Sequence, residues 1–176
     1  MNTQQPLLII GGGGHGKVVA ETAVAAGFKI HGFLDDNTPS LVQLLGIPRL
    51  GTISSWTESL REVQFIVAMG NNDLRCSIFE RFSKLMPAAI VIHPSATISP
   101  SSSVERGTVV LAGAVINAGA RIGQNAIINS LSLVDHDSII SDHCHIAQGT
   151  IIGSEVRVGE GVVTQLGQHI PSRSSI

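Results

Sequence analysis

The sequence predicts a small α/β domain followed by a parallel β-solenoid, and three observations carry that prediction. From Ile92 to Ile176 every sixth residue is aliphatic except Thr164, and the residue four places after each is small or a valine up to Val162, with Gln168 the exception before Ser174. Before Ile92 the pattern differs, with short apolar runs alternating with helical stretches. Pro87 and Pro94 interrupt regular structure where one pattern gives way to the other, which sets domains at residues 1–88 and 92–176.

In the first domain residues 7–10 (Leu-Leu-Ile-Ile) read as a buried strand, followed by a glycine turn and a helix over 17–26 that ends at Gly27. Residues 30–34 and 65–69 read as further strands, 55–61 around Trp56 as a short helix and 74–85 as a longer one. Strand, helix, strand order requires crossovers and hence a parallel sheet, so the domain is of Rossmann type.

In the second domain neither a period near 3.6 nor simple alternation fits the columns. One hexad per short strand and three strands per coil do, so residues 18 apart stack on one another and the repeat makes between four and five coils. Gly107, Gly113, Gly119, Gly123, Gly149, Gly153, Gly159 and Gly161 mark turns able to accept positive φ. The hexad at 164–169 fails both inward columns together, and the coil is expected to distort or end there.

Bulk properties narrow the function. The chain has 176 residues, 43% of them apolar and 14% charged, with a net charge of -2 and a pI near 6.4. It is large enough to bury a core, and it lacks the basic field that nucleic acid or anionic lipid requires. No apolar run reaches the roughly 20 residues of a membrane helix. Residues 1–6 lack the charged start of a secretory signal, so the expected location is the cytoplasm. Cys76 and Cys144 are expected as reduced thiols, Cys144 filling a small inward position.

Gly11-Gly12-Gly13-Gly14-His15-Gly16-Lys17 follows a strand, opens a helix and satisfies G-x-G-x-x-G at Gly11, Gly13 and Gly16. Such a turn lets backbone approach a phosphate, and the helix dipole favours the anion. Asp35 and Asp36 end the second strand, where a carboxylate can meet a ribose or a base N–H. A nucleotide sugar suits this short domain better than NAD(P), because a complete dinucleotide fold needs more chain. The competing reading is that the glycines merely close a tight turn. Gly70-Asn71-Asn72-Asp73 follows the strand at 65–69, and either lines the same pocket or caps the next helix.

Asp135-His136-Asp137 stands at a solenoid corner, with His136 outside the aliphatic core. A histidine between carboxylates suits general-base work, since one acid can fix its tautomer and stabilise its cation. A plain surface histidine is the alternative. His143 and His145 follow closely. Zinc bound by histidines of adjacent subunits, as in carbonic anhydrases of the hexapeptide type, is a third reading, and no metal is expected.

Taken together, the glycine turn at 11–17, the Phe33-Leu34-Asp35-Asp36 strand end, the Ala68-Met69-Gly70-Asn71-Asn72 segment and His136 within hexads resemble one family over nearly the whole chain. It is the bacterial nucleotide-sugar and sialic acid acyltransferases of the PglD/NeuD type. The resemblance implies a left-handed parallel β-helix, a homotrimer, and acyl transfer from acetyl-CoA to an amino or hydroxyl group of a sugar. It implies His136 as general base and Asp137 as the acid that raises its basicity, with Asn129 on the sugar side. It also implies contacts to acetyl-CoA at His145, Ser154 and Leu166, and nucleotide-sugar contacts at Gly13, Gly14, His15, Asp35, Asp36, Gly70 and Asp73.

The expected activity is N-acetylation of a UDP-linked amino sugar. The alternatives are O-acetylation of sialic acid or another sugar, and a non-catalytic nucleotide-sugar-binding module. Family members usually continue for another coil or more, so a chain ending at Ile176 is expected to be either shortened or incomplete at its CoA end.

Overall fold

The computed structural model describes residues 5–37, 45–57, 60 and 62–176, and the chain divides into two compact units, Met1–Val91 and Ile92–Ile176.

The first unit is built on strands β1 (Leu7–Ile10), β2 (Ile30–Leu34), β3 (Arg49–Gly51) and β4 (Gln64–Val67), with helices α1 (Gly14–Ala25) and α2 (Asn72–Phe82). The strands form a parallel sheet in the order β3-β2-β1-β4, which an isolated bridge from Phe65 to Ala88 extends. All four residues of β1 are buried, as befits a continuous apolar run covered on both faces. Phe65 on β4 packs against Phe79 and Phe82 of α2, with ring centroids 5.8 and 5.9 Å apart, alongside Leu8, Ile10 and Leu34.

Several local features differ from the sequence reading, among them β4, which spans Gln64–Val67 rather than 65–69, and α2, which spans Asn72–Phe82 rather than 74–85. Helix α1 starts at Gly14, three residues earlier than expected, because the Lys17 N–H already closes a turn onto the Gly13 carbonyl at 3.1 Å. Strand β3 was not expected, since three residues are too few to show a period. The short helix expected at 55–61 is not formed in its described part, where residues 53–55 are a turn; Glu58, Ser59 and Arg61 lie outside the described residues.

The second unit is a parallel β-helix whose coils carry two-residue strands on three faces. Face I holds Thr97–Ile98, Val115–Ile116, Leu133–Val134, Ile151–Ile152 and His169–Ile170. Face II holds Ser103–Val104, Arg121–Ile122, Ile139–Ile140 and Arg157–Val158, and face III holds Val91–Ile92, Val109–Val110, Ile127–Ile128 and His145–Ile146. Every pairing joins residues 18 apart, as Leu133 with Val115 and Ile151. The aliphatic and small columns stack inward as one core, with Ile116, Ile128, Val134, Ile146 and Ile152 fully buried.

Left-handed backbone recurs every sixth residue from Gly107 to Arg173, immediately before the small inward column. Six of these positions are glycine, and Asn125, Leu131, Asp137, His143, Glu155 and Arg173 occupy the others. Gly123, Gly153 and Gly159 are therefore not the positive-φ turns expected of them. They stand two places earlier, where bulk is excluded: a Cβ on Gly123 would lie 2.4 Å from Asp142 Oδ1, and one on Gly153 2.6 Å from the Ser172 nitrogen.

The hexad at 164–169 bends the ladder without ending it. Val163 keeps a single bridge to His145, and Thr164 still points inward, 5% exposed, with its hydroxyl accepting the Ala147 N–H at 2.8 Å and meeting the Thr150 hydroxyl at 3.0 Å. Regular pairing resumes at Ile151–Ile152 with His169–Ile170. A partnered threonine hydroxyl substitutes for the missing aliphatic residue.

Candidate active site

His136 occupies the corner between faces I and II, half exposed. Its Nδ1 lies 2.8 Å from Asp137 Oδ2. A carboxylate can only accept, so Nδ1 carries the proton and Nε2 holds the basic lone pair. The Asp137 hydrogen bond holds the His136 pKa above the ordinary histidine value; desolvation opposes this, and the charges of Asp135, Asp137 and Glu155 reinforce it.

The corner is built in three layers. Below, Asn117, Ala118 and Gly119 lie under Asp135, His136 and Asp137; the Asn117 amide donates to Asp135 Oδ1 at 2.8 Å and the Asp137 N–H to the Ala118 carbonyl at 3.0 Å. Asp135 Oδ1 also accepts the His136 N–H at 2.8 Å. These donors, Asn117 first, hold the Asp135 carboxyl below the usual range. Above, Glu155 N–H bonds the His136 carbonyl at 3.0 Å, and Ser154 stacks one coil over His136. The Ser154 N–H and Oγ both meet Ser172 Oγ at 3.0 Å.

Of the other expected residues of this unit, Asn129 and His145 form a separate pair on face III, Asn129 Nδ2 lying 3.0 Å from His145 Nε2. Leu166, 75% exposed, stands at the corner between faces III and I. A single chain thus gathers His136, Asp137 and Ser154 at one corner and leaves Asn129, His145 and Leu166 elsewhere on the prism. His143 is buried, its Nδ1 2.8 Å from Asn125 Nδ2. Among the described residues no group of three or more His, Cys, Asp or Glu is placed to hold a metal.

The glycine turn of the first unit frames a cavity of about 290 Å³, lined by Gly13, Gly14, His15, Asp35 and Gly70 together with Asn37 and Asn71. The glycines divide into two kinds. A Cβ on Gly16 would stand 2.2 Å from the Gly11 carbonyl oxygen, one on Gly12 2.7 Å from the Phe33 ring, and one on Gly11 2.8 Å from the Ala68 oxygen. A Cβ on Gly13, Gly14 or Gly70 would meet no side chain or distant backbone within 4 Å. The first three close the turn; the others leave open space beside the N-terminus of α1, a helix end whose free N–H groups favour an anion in general.

Asp35 is buried and serves the loop itself, Oδ2 accepting the Gly12 N–H and Oδ1 the Asn37 N–H at 2.6 Å. Asp36 turns away to the Ser54 N–H at 3.0 Å, and Asp73 sits in the first turn of α2 beyond the Asn71 cap, so neither lines the cavity. Asn37, in the lining, and Asn117, under Asp135, were not singled out from sequence. The signal available for Asn117 was the 18-residue register, which sets it under Asp135.

The sequence profile of the PglD N-terminal domain matches residues 6–82. The acetyltransferase domain of PglB from Neisseria gonorrhoeae, solved with acetyl coenzyme A, is 38% identical to this chain, covers 97% of it and 87% of its own length, and superposes with a TM-score of 0.74. The chain belongs to the PglD-type sugar acetyltransferases. PerB from Caulobacter crescentus, solved with CoA and GDP-perosamine, is 30% identical to this PglD-type chain, covers 97% of it and 84% of its own length, and has a TM-score of 0.73. WeeI from Acinetobacter baumannii, 18% identical with a TM-score of 0.71 over 97% of this chain and 95% of its own, shares the fold. No curated protein sequence matches the chain. No helix among the described residues of this PglD-type chain is long and apolar enough to cross a membrane.

Proposed function

We propose that the chain transfers the acetyl group of acetyl-CoA to the amino group of a UDP-linked amino sugar, with His136 as general base. The observation that carries this reading is the His136 Nδ1 to Asp137 contact of 2.8 Å at an exposed corner, which leaves Nε2 as a base of raised pKa. PerB, a relative bound to CoA and GDP-perosamine, supports a nucleotide-linked sugar as acceptor. The open glycines Gly13, Gly14 and Gly70 support a diphosphate in the first unit. UDP as the nucleotide follows from the resemblance to PglD/NeuD-type enzymes.

Nε2 of His136 takes a proton from the acceptor amine as its nitrogen attacks the thioester carbonyl, and a backbone N–H stabilises the oxyanion. The tetrahedral intermediate collapses with cleavage of the carbon–sulfur bond, and the imidazolium returns its proton to the departing CoA thiolate. Asp137 holds the imidazolium meanwhile. No acyl-enzyme forms.

The reading also calls for a homotrimer. Asn129, His145 and Leu166 lie away from the His136 corner of their own chain, and a neighbouring copy brings them to it. Exposed Leu131, Ile151, Val163 and Leu166, on face III, face I and the corner between them, supply apolar surface for that contact. Sedimentation should give three chains per particle. Cytoplasmic residence follows from acetyl-CoA as donor.

The test is CoA thiol release from acetyl-CoA against a panel of UDP-, GDP- and CMP-linked sugars. Turnover with a UDP-amino sugar and its near-complete loss in His136→Ala, with the thermal transition unchanged, are expected. Turnover on hydroxyl acceptors alone would move the reaction to O-acetylation. Nucleotide-sugar binding without turnover would reduce the chain to a binding module.

A further inference from the structure

The peptide bearing the base is clamped from the coil beneath it. Strand register places Val115 and Ile116 under Leu133 and Val134, so Asn117 arrives under Asp135. The Asn117 amide donates to Asp135 Oδ1 at 2.8 Å, and the same oxygen accepts the His136 N–H at 2.8 Å. One carboxylate oxygen therefore ties the His136 backbone to the coil below. Asn117 and Asp135 are both half-buried, whereas His136 and Asp137 are exposed.

We infer that Asn117 is a positioning residue for acetyl transfer: through Asp135 it fixes the His136 peptide N–H, and so the direction in which the imidazole presents Nε2 to the acceptor. The inference rests on the reading of His136 as base. The charged groups around His136 are Asp135 and Asp137 on its own corner and Glu155 from the coil above, itself paired with Arg173 at 3.1 Å. The coil below contributes Asn117, Ala118 and Gly119, all uncharged. Asn117 thus holds a carboxylate in place without neutralising it, which a cation in that position would do.

The test is the pH dependence of kcat and KM for the purified full chain, with acetyl-CoA and a UDP-linked amino sugar as substrates. Asn117→Ala should lower kcat about tenfold, since small displacements of a base are costly, with KM for acetyl-CoA unchanged. Asn117→Asp sets two carboxylates face to face; it should lower kcat further and, by adding negative charge near His136, move the acid limb of the profile to higher pH. The exchanged pair Asn117→Asp with Asp135→Asn restores one donor facing one acceptor and should regain most of kcat. In the His136→Ala background Asn117→Ala should make no further difference.

Wild-type kcat and an unshifted profile in both single variants would overturn the inference. So would a loss accompanied by a lowered melting temperature that the exchanged pair does not recover, which marks a structural role only. An undiminished rate in His136→Ala overturns the base assignment itself, a separate result.

Discussion

Gly119 lies directly beneath Asp137, and the Asp137 carboxylate fills the space that a side chain on Gly119 would take: a Cβ there would stand 2.5 Å from Oδ1. The residue one coil down is therefore part of the His136 corner, although it contributes no functional group. Gly119 also has φ of +69°, so an alanine is strained before it meets the carboxylate. Gly119→Ala should destabilise by about 1–2 kcal/mol and lower kcat more than its effect on stability explains. Thermal melts beside steady-state rates check both.

Asp137 itself has φ of +59°, a backbone region that costs an L-residue about 1 kcal/mol relative to glycine. Asp137→Gly should raise the melting temperature by roughly 2–4 °C while acetyl transfer collapses. A variant that is both less stable and inactive would count against backbone strain at this corner.

The pH profile follows from the same contact. In the proposed mechanism His136 acts as the neutral base, and its pKa stands above the ordinary 6.5 mainly because of the Asp137 hydrogen bond. Activity should therefore rise through a pKa higher than 6.5 and level off above it. Asp137→Asn removes the charge that favours the imidazolium, so the limb should move to lower pH as the plateau falls. A limb that stays in place would show that Asp137 does not set the His136 pKa.

In the first unit the glycines should separate by experiment as they do by geometry. Gly16→Ala drives a Cβ to 2.2 Å from backbone oxygen and should unfold the turn, lowering the melting temperature. Gly13→Ala meets nothing within 4 Å and should leave stability nearly unchanged while weakening nucleotide-sugar binding. Calorimetric titration of each variant with the nucleotide sugar distinguishes the two outcomes.

Ser172 Oγ now accepts the Ser154 N–H at 3.0 Å, and Ser154 is a residue assigned to acetyl-CoA by resemblance. Removing a competing acceptor worth about 1 kcal/mol should lower KM for acetyl-CoA roughly fivefold in Ser172→Ala. A KM that rises instead would mean that the hydroxyl itself contacts the donor.

The hexad periodicity determined the stacked prism, the inward columns and the position of His136 outside the core, and the apolar runs with their glycine turn determined the strand, turn and helix order of the first unit. These are legible because each is a local rule repeated many times: side-chain period, turn chemistry and burial need only near neighbours along the chain. What only the tertiary structure decided depends on which atoms fill a given space. Gly123, Gly153 and Gly159 carry the same letter as the positive-φ glycines but answer to packing from the next coil. Asp35 and Asp36 are adjacent in sequence, yet one is buried as the anchor of the glycine loop and the other turns to Ser54. Thr164 and Gln168 break the pattern without breaking the fold, because a buried hydroxyl found the Ala147 N–H. Asn117 reads as one polar residue among many until the 18-residue stacking sets its amide against Asp135. The register along the chain sets which residues stack, but whether two stacked side chains come within hydrogen-bond distance is a fact of three-dimensional geometry.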